Sequence, residues 1–417
     1  MTQFEQPRVP DRTCLTARWI LPVNQPPIAG GWIVVSDHTV LQVGSGMPPE
    51  PARDLGEVAV LPGLVNAHTH LELSWMAGRV PAAGSFTEWL RKLVFDRRAS
   101  HAADDGRRAA AARRAAAALR QSGTVLVGDI SNRLETMAVL REAGLGGVVF
   151  HELVGFDAAD PAAIVRDAWA RVDRALSAMG EPGRGATDLR VSVSAHATYS
   201  VFASLFPEIV RRHRGGPLSI HVAESPDEVE FLRTGRGPFR AFLEELEVWN
   251  ESWIPPECAP IEYLSRVGYL RPGMLAVHAV QITDDQLEVL RRARAVIVTC
   301  PRSNAWVGAG LPRVSRFYGS GVPVAIGTDS LASAPTLSVF DELAELRRIA
   351  PDVTAASLIE SATRIGAEAL GFGDTFGTIA PGRRAAFATV RVPAGTSDVE
   401  EYLVSGVPAA AVEPLWL

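Results

Sequence analysis

The chain has 417 residues, 47% of them hydrophobic and 21% charged, with a formal net charge of −6. These values fit a globular protein able to bury a large core, and without a basic stripe they give no reason to expect nucleic acid as a partner. Three widely separated cysteines, Cys14, Cys258 and Cys300, argue against a disulfide framework and for a reducing compartment.

Residues 1–57 read as short strands, with Cys14–Val23 and Trp32–Val43 rich in β-formers, and Asn24–Gly31 and Ser36–His38 as turns. His38 is expected in a turn without a role. From Val58 the pattern alternates. Apolar strand candidates are Val58–Val65, Thr124–Ile130, Gly147–Val154, Leu189–Ala195, Leu218–Ala223, Met274–Val280, Ala295–Thr299 and Val322–Gly327. Helical stretches separate most of them: Asp104–Gln121, Leu287–Arg294 behind the capping signature Thr283-Asp284-Asp285-Gln286, Thr336–Ile349 and Thr354–Leu370. Eight strands alternating with helices is the pattern of an α/β fold, a (β/α)8 TIM barrel. After Phe372 strands return at Ala385–Val392, Glu400–Val404 and Ala409–Leu417. The expected organisation is a barrel over 58–372 and a small β-sandwich domain built from both ends, 1–57 plus 373–417. No apolar run reaches the length of a membrane span, and the N-terminus lacks a basic region followed by an apolar core, so a cytoplasmic protein is expected.

The first barrel strand runs into His68-Thr69-His70. Side chains alternate along a strand, so the two imidazoles share a face and can grip one metal ion. Strand five ends in His221-Val222-Ala223-Glu224, strand six carries His278, and strand eight ends in Asp329. Singly, each fits a packed or capping residue. In a barrel, however, the C-terminal ends of all strands converge on one mouth. Buried His and Asp are costly unless paired or metal-bound, so the joint pattern points to a metal site.

These residues resemble the amidohydrolase superfamily, in particular its cytosine deaminase/chlorohydrolase-like aminohydrolases. The resemblance runs from the Pro62-Gly63…His68-x-His70 stretch to Gly377-Thr378-Ile379-Ala380-Pro381-Gly382. It includes Phe86-Thr87-Glu88-Trp89-Leu90, Ser194-Ala195-His196-Ala197-Thr198-Tyr199-Ser200, Cys300-Pro301-Arg302-Ser303-Asn304 and Gly327-Thr328-Asp329. It implies one divalent metal ion, zinc or iron, held by His68, His70, His221 and Asp329, with an open position for a water whose pKa the metal lowers. Asp329 and His278 are implied to orient that water and take its proton, Glu224 to protonate the substrate ring and leaving group, and His196 to touch the substrate. Superfamily members with two metals often bridge them by a lysine on strand four. Lys92 is the single lysine here and lies elsewhere, which favours one metal. A bridging Glu152 is the minor alternative to Glu152 as an acceptor supporting a ligand.

Within the resemblance, Trp89 is expected to pack on a purine, and Arg98 stands where relatives carry a ribose-contacting glutamate. Glu72 follows the H-x-H and is a further substrate-binding candidate. The combination is nearest to the aminodeoxyfutalosine deaminase branch. That implies loss of the 6-amino group from an adenine nucleoside bearing a benzoate, in menaquinone synthesis. Arg79, Arg91, Arg97, Arg98 and Arg302 are candidates to meet the carboxylate. Other adenine nucleosides (S-adenosylhomocysteine, methylthioadenosine, adenosine) and chlorohydrolase-type hydrolysis remain as alternatives. The segment Ser225–Pro260 reads equally as a pocket wall or a packed insertion, and a homodimer is left open.

Overall fold

A computed structural model describes residues 12–100, 105–156, 159–180 and 188–417. Eight parallel strands form the centre: Leu64–Thr69, Thr124–Ser131, Gly146–Leu153, Leu189–Ala195, Ser219–Val222, Leu275–His278, Val296–Thr299 and Val324–Ile326. Hydrogen bonds join them into two four-stranded sheets in chain order. Two seams close the ring, at the bridges Ala197–His221 and Thr69–Asp329. The strands are buried along nearly their whole length, as expected of parallel strands covered on both faces. This is the expected barrel, and its helices cover the outside through large apolar clusters.

The chain ends form a separate seven-stranded sheet, ordered Val412–Trp416, Ala386–Arg391, Val58–Pro62, Arg12–Ile20, Ile28–Ser36 and Thr39–Ser45, with Ala52–Asp54 beside Arg12–Ile20. It has its own core, including Ile20, Ile33, Val35, Val40 and Phe387. His38 sits in a turn, with Nδ1 2.6 Å from the Leu417 carbonyl oxygen, tying one end of the chain to the other. No helix among the described residues is long and apolar enough to cross a membrane.

Three elements depart from the sequence reading. The run Val58–Val65 is two strands broken at Gly63: Val58–Pro62 pairs antiparallel with Ala386–Arg391, and the barrel begins at Leu64. Adjacent N–H groups go to different partners, Gly63 to Ala386 and Leu64 to Gly123, so the chain changes sheet there. Glu400–Val404 is helical, not a strand. Helix Val399–Val404 is capped by Asp398, which accepts from the Glu401 N–H at 2.9 Å, and buries Val399, Leu403 and Val404 at helical spacing. The stretch Thr354–Leu370 is two helices, Ala355–Ser361 and Arg364–Ala369, separated at Thr363, whose hydroxyl donates back to the Ile359 carbonyl at 2.6 Å. Smaller shifts are a strand that starts at Ile28, within the stretch Asn24–Gly31 expected as a turn, a 3-10 turn at Ala409–Ala411 ahead of the last strand, and a helix start at Val339 rather than Thr336.

Gly63 sits where the chain changes sheet, and a Cβ there would lie 2.2 Å from Cγ1 of the buried Val125. Gly63→Ala is therefore expected to destabilise the protein by about 1–3 kcal/mol, as overpacking of a tight interior does. Urea unfolding of the variant would show it, and an unchanged midpoint would contradict this packing.

Candidate metal centre and active site

Strand one ends with His68 fully buried and His70 just beyond it. The His70 Nε2 lies 3.2 Å from the Nε2 of His68 and 3.2 Å from that of His221. Asp329 Oδ1, from the end of strand eight, stands 3.4 Å from His70 Nε2 and 3.9 Å from His68 Nε2. Three ring nitrogens and one carboxylate oxygen thus converge on one point.

The opposite faces of His221 and Asp329 are held, whereas the buried Nδ1 of His68 has no partner among the described residues. His221 donates from Nδ1 to the His196 carbonyl at 2.8 Å, which fixes its Nε2 as the free lone pair. Asp329 Oδ2 accepts from Ser303 at 2.5 Å and Ser333 at 3.0 Å, leaving Oδ1 for the cluster. Burial holds all three imidazoles below their usual pKa, His70 at about 3, so they are neutral. Ring nitrogens this close to one another and to a carboxylate must share either protons or a cation. The N3O donor set fits a divalent ion of the zinc or iron type. Glu152, His196 and His221 also lie close together. The Nδ1–H of His221 is already given to a carbonyl, however, and Glu152 Oε1 stands 3.6 Å from that nitrogen while its Oε2 accepts from Asn132 at 3.2 Å. That geometry suits an acceptor beside a ligand better than a bridge between two metals.

Glu224 and His278 lie beside the cluster, Glu224 Oε1 3.6 Å from His278 Nε2. Burial pushes the Glu224 carboxyl well above its usual range, helped by the negative charges of Asp329 and Glu228. Burial lowers His278 to about 3, and Asn304 Nδ2 stands 2.9 Å from its Nδ1. Ala223, His278, Ala279 and Asp329 all have positive φ, from 51° to 73°. Such backbone costs about 1 kcal/mol or more per non-glycine residue and collects at sites where side-chain aim matters.

These groups open into a cavity of about 390 Å³. Trp89 is buried in its wall, its indole N–H without an acceptor among the described residues. His196 lines it, held neutral with a pKa of about 4 by burial and the nearby Arg97, and its Nδ1 is 2.5 Å from the Ser200 hydroxyl. Glu72 also lines it, but its oxygens accept from the Ser131 hydroxyl and from the N–H groups of Asn132 and Arg133. Glu72 is thereby committed to the loop after strand two rather than to a substrate. Of the five candidate arginines only Arg97 and Arg98 reach the cavity. Arg79 lies over Trp75, Arg91 pairs with Glu245, and Arg302 pairs with Asp341 and Glu342. The insertion Ser225–Pro260 contributes a wall through Phe242, Leu243, Leu246 and Val248. Sequence reasoning assigned no role to Ser303, Asn304 or Ser333, although the first two lie in a motif it quoted.

The sequence profile of the amidohydrolase family matches residues 59–410. The chain belongs to this family and is a hydrolase of carbon–nitrogen bonds other than peptide bonds. It is 33% identical over 362 residues to the aminodeoxyfutalosine deaminase of Deinococcus radiodurans, covering 82% of this chain and 81% of that one. It is 29% identical over 345 residues to the 5-methylthioadenosine/S-adenosylhomocysteine deaminase of Natronomonas pharaonis, covering 80% and 73%. Helicobacter pylori aminofutalosine deaminase, solved with methylthio-coformycin, shares the fold with a TM-score of 0.80 at 23% identity over 94% of this chain and 95% of that one.

Ser303 supplies one of the two hydroxyls that orient Asp329. Ser303→Ala is expected to weaken divalent-metal affinity about tenfold or more, the usual effect of removing a group that orients a ligand. Competition with a chelator measures this, and unchanged affinity would show that Ser333 alone suffices.

Proposed function

We propose that the protein is a metal-dependent deaminase of adenine nucleosides, with aminodeoxyfutalosine as its preferred substrate. The observation that carries this reading is the pairing of Glu224, its carboxyl pushed toward the protonated form by burial, with His278, 3.6 Å apart beside the ligand cluster and inside a largely apolar cavity. The relatives named above support the choice of an adenine nucleoside.

In this reading His68, His70, His221 and Asp329 hold one zinc or iron ion. When bound, the ion supplies Lewis acidity and lowers the pKa of a water molecule. Asp329 Oδ1 accepts the proton of the water, and His278, whose Nδ1 faces the Asn304 amide nitrogen, orients that water through Nε2. Glu224 donates a proton to the purine ring nitrogen beside C6 as water adds to that carbon, then relays the proton of the new C6 hydroxyl to the amine, which leaves as ammonia while the proton held at Asp329 restores Glu224. The apolar surroundings that raise the Glu224 pKa keep that proton in place until the ring arrives. Trp89 offers a face for the purine, and His196 a neutral polar contact.

The preference within adenine nucleosides rests on Arg97. It is half-buried in the cavity wall, and no carboxylate lies within ion-pair distance of it among the described residues, although Glu72 and Glu152 act on it from farther off more strongly than Arg108 and Arg133 do. Arg98 lies next to it but is exposed. A substrate carboxylate at Arg97 contributes on the order of 1.5–3 kcal/mol, or about ten- to a hundredfold in kcat/KM.

Ammonia release across aminodeoxyfutalosine, adenosine, S-adenosylhomocysteine, methylthioadenosine, guanine and cytosine, with chloride release from a chlorotriazine, tests the assignment. Aminodeoxyfutalosine should lead, and Arg97→Gln should reduce it to the level of adenosine. Turnover confined to guanine, cytosine or the triazine would overturn the nucleoside reading. Equal rates on all adenosines would overturn only the carboxylate argument.

A further inference from the structure

Glu228 lies in the first turn of helix Pro226–Thr234 and is fully buried. It is not one of the converging groups, and apart from its charge acting on Glu224 the chemistry above gives it no role. A buried carboxyl is costly unless its oxygens are satisfied. Here they are: Oε1 accepts from the Ala223 N–H at 3.0 Å and the Thr198 hydroxyl at 2.5 Å, and Oε2 accepts from the Glu224 N–H at 2.8 Å.

Capping the helix does not account for this arrangement. Ser225 is the N-cap, and its hydroxyl accepts from the N–H of Glu228 itself. In a capping box the third helical residue reaches back to the N–H of the cap residue. Glu228 lies beside the Ser225 N–H as well, but its hydrogen bonds at 2.8 and 3.0 Å reach past the cap to the two residues before it. Those two form the kink at the end of strand five, where Ala223 has φ of 51°. The kink is unfavourable for alanine and directs the next side chain, Glu224, toward His278. A relaxed Ala223 would swing Glu224 away, and the two buried N–H groups would lose their acceptor. Thr198 lies in the segment after strand four that gives His196, Tyr199 and Ser200 to the cavity wall. One carboxylate therefore joins the backbone of Glu224 to the wall beside it.

We propose that Glu228 is a positioning residue for Glu224: it holds the Ala223–Glu224 backbone in its left-handed kink, in register with the Thr198 segment, so that the Glu224 carboxyl is aimed at the reacting ring. This inference rests on the reading of Glu224 as the acid. It makes Glu228 act through Glu224 and through no other group.

The test is a double-substitution cycle on the metal-loaded protein, using whichever adenine nucleoside it turns over best: wild type, Glu224→Gln, Glu228→Gln and the double variant, with kcat, KM and metal content measured for each. Glu228→Gln keeps the size but turns an N–H toward a backbone N–H. It should keep its metal and hold KM within about threefold while kcat falls about ten- to a hundredfold, the effect of a misplacement on the ångström scale. In the Glu224→Gln background the same change should cost nothing further in kcat. A near-normal kcat for Glu228→Gln, or a double variant reduced by the product of the two single effects, would overturn the proposal. Should Glu228→Gln not fold, Thr198→Val removes one donor and leaves the carboxylate. It is expected to lower kcat at least about threefold in the wild type and not at all in the Glu224→Gln background, and any other pattern counts against the clamp. If Glu224→Gln itself turns over normally, the reading of the acid fails. If Glu224→Gln collapses while Glu228→Gln does not, only the clamp fails.

Discussion

His68 serves the fold and the site at once. Its carbonyl accepts the N–H groups of Thr328 and Asp329 at 3.0 and 3.1 Å, which join the last barrel strand to the first. Its Nε2 stands in the converging cluster. The second seam is built the same way: the His196 carbonyl accepts from the backbone N–H of His221 at 2.9 Å and from its ring at 2.8 Å. Closing the barrel and assembling the candidate metal ligands thus use the same backbone. A ring of strands open at either seam would leave these groups far apart, whatever the local structure around each one. The left-handed residues Ala223, His278, Ala279 and Asp329 belong to this arrangement. Their unfavourable backbone persists because neighbouring groups overdetermine it, through the seam hydrogen bonds at Asp329 and the Glu228 carboxylate at Ala223.

For Asp329 and His278, orientation comes from groups without charge. The short helix Pro301–Trp306 puts two adjacent residues to different uses, Ser303 on Asp329 and Asn304 on His278. The cavity then divides by polarity. Its inner end carries the histidines and Glu224, and an apolar stretch of wall is built by Trp89 and by Phe242 and Leu243 on the insertion after strand five, with Arg97 set into the wall as well. The same burial that keeps the imidazoles neutral for a metal keeps Glu224 protonated. One desolvated environment therefore sets two opposite acid–base states, each suited to its task.

Much of this was legible in the sequence, for physical reasons. Parallel strands buried on both faces appear as continuous apolar runs, so the barrel strands announced themselves. Histidines at strand ends are rare and costly when buried, so His68, His70 and His221 stood out. Gly63 did not, because a break between two apolar strands leaves the apolar run intact; only the pairing of Val58–Pro62 with a strand over three hundred residues away exposes it. Val399–Val404 was misread because Tyr402, Leu403 and Val404 suit strands, while the cap at Asp398 gave the contrary signal. Ser303 and Asn304 are common residue types whose importance lies only in what they face. Glu228 sits where a helix-capping glutamate is expected, which hides its other contacts. Five arginines looked equivalent near the mouth until the fold gave three of them other partners.

The account depends on the convergence of His68, His70, His221 and Asp329 on a single divalent ion. Elemental analysis of the purified protein, beside an Asp329→Ala variant, tests this most directly. Close to one equivalent of zinc or iron per chain is expected, falling sharply in the variant as the fourth donor is lost. Two equivalents both needed for activity would contradict the single-ion site and assign Glu152 a bridging role. Metal that stays bound in Asp329→Ala at full affinity would remove the carboxylate from the donor set.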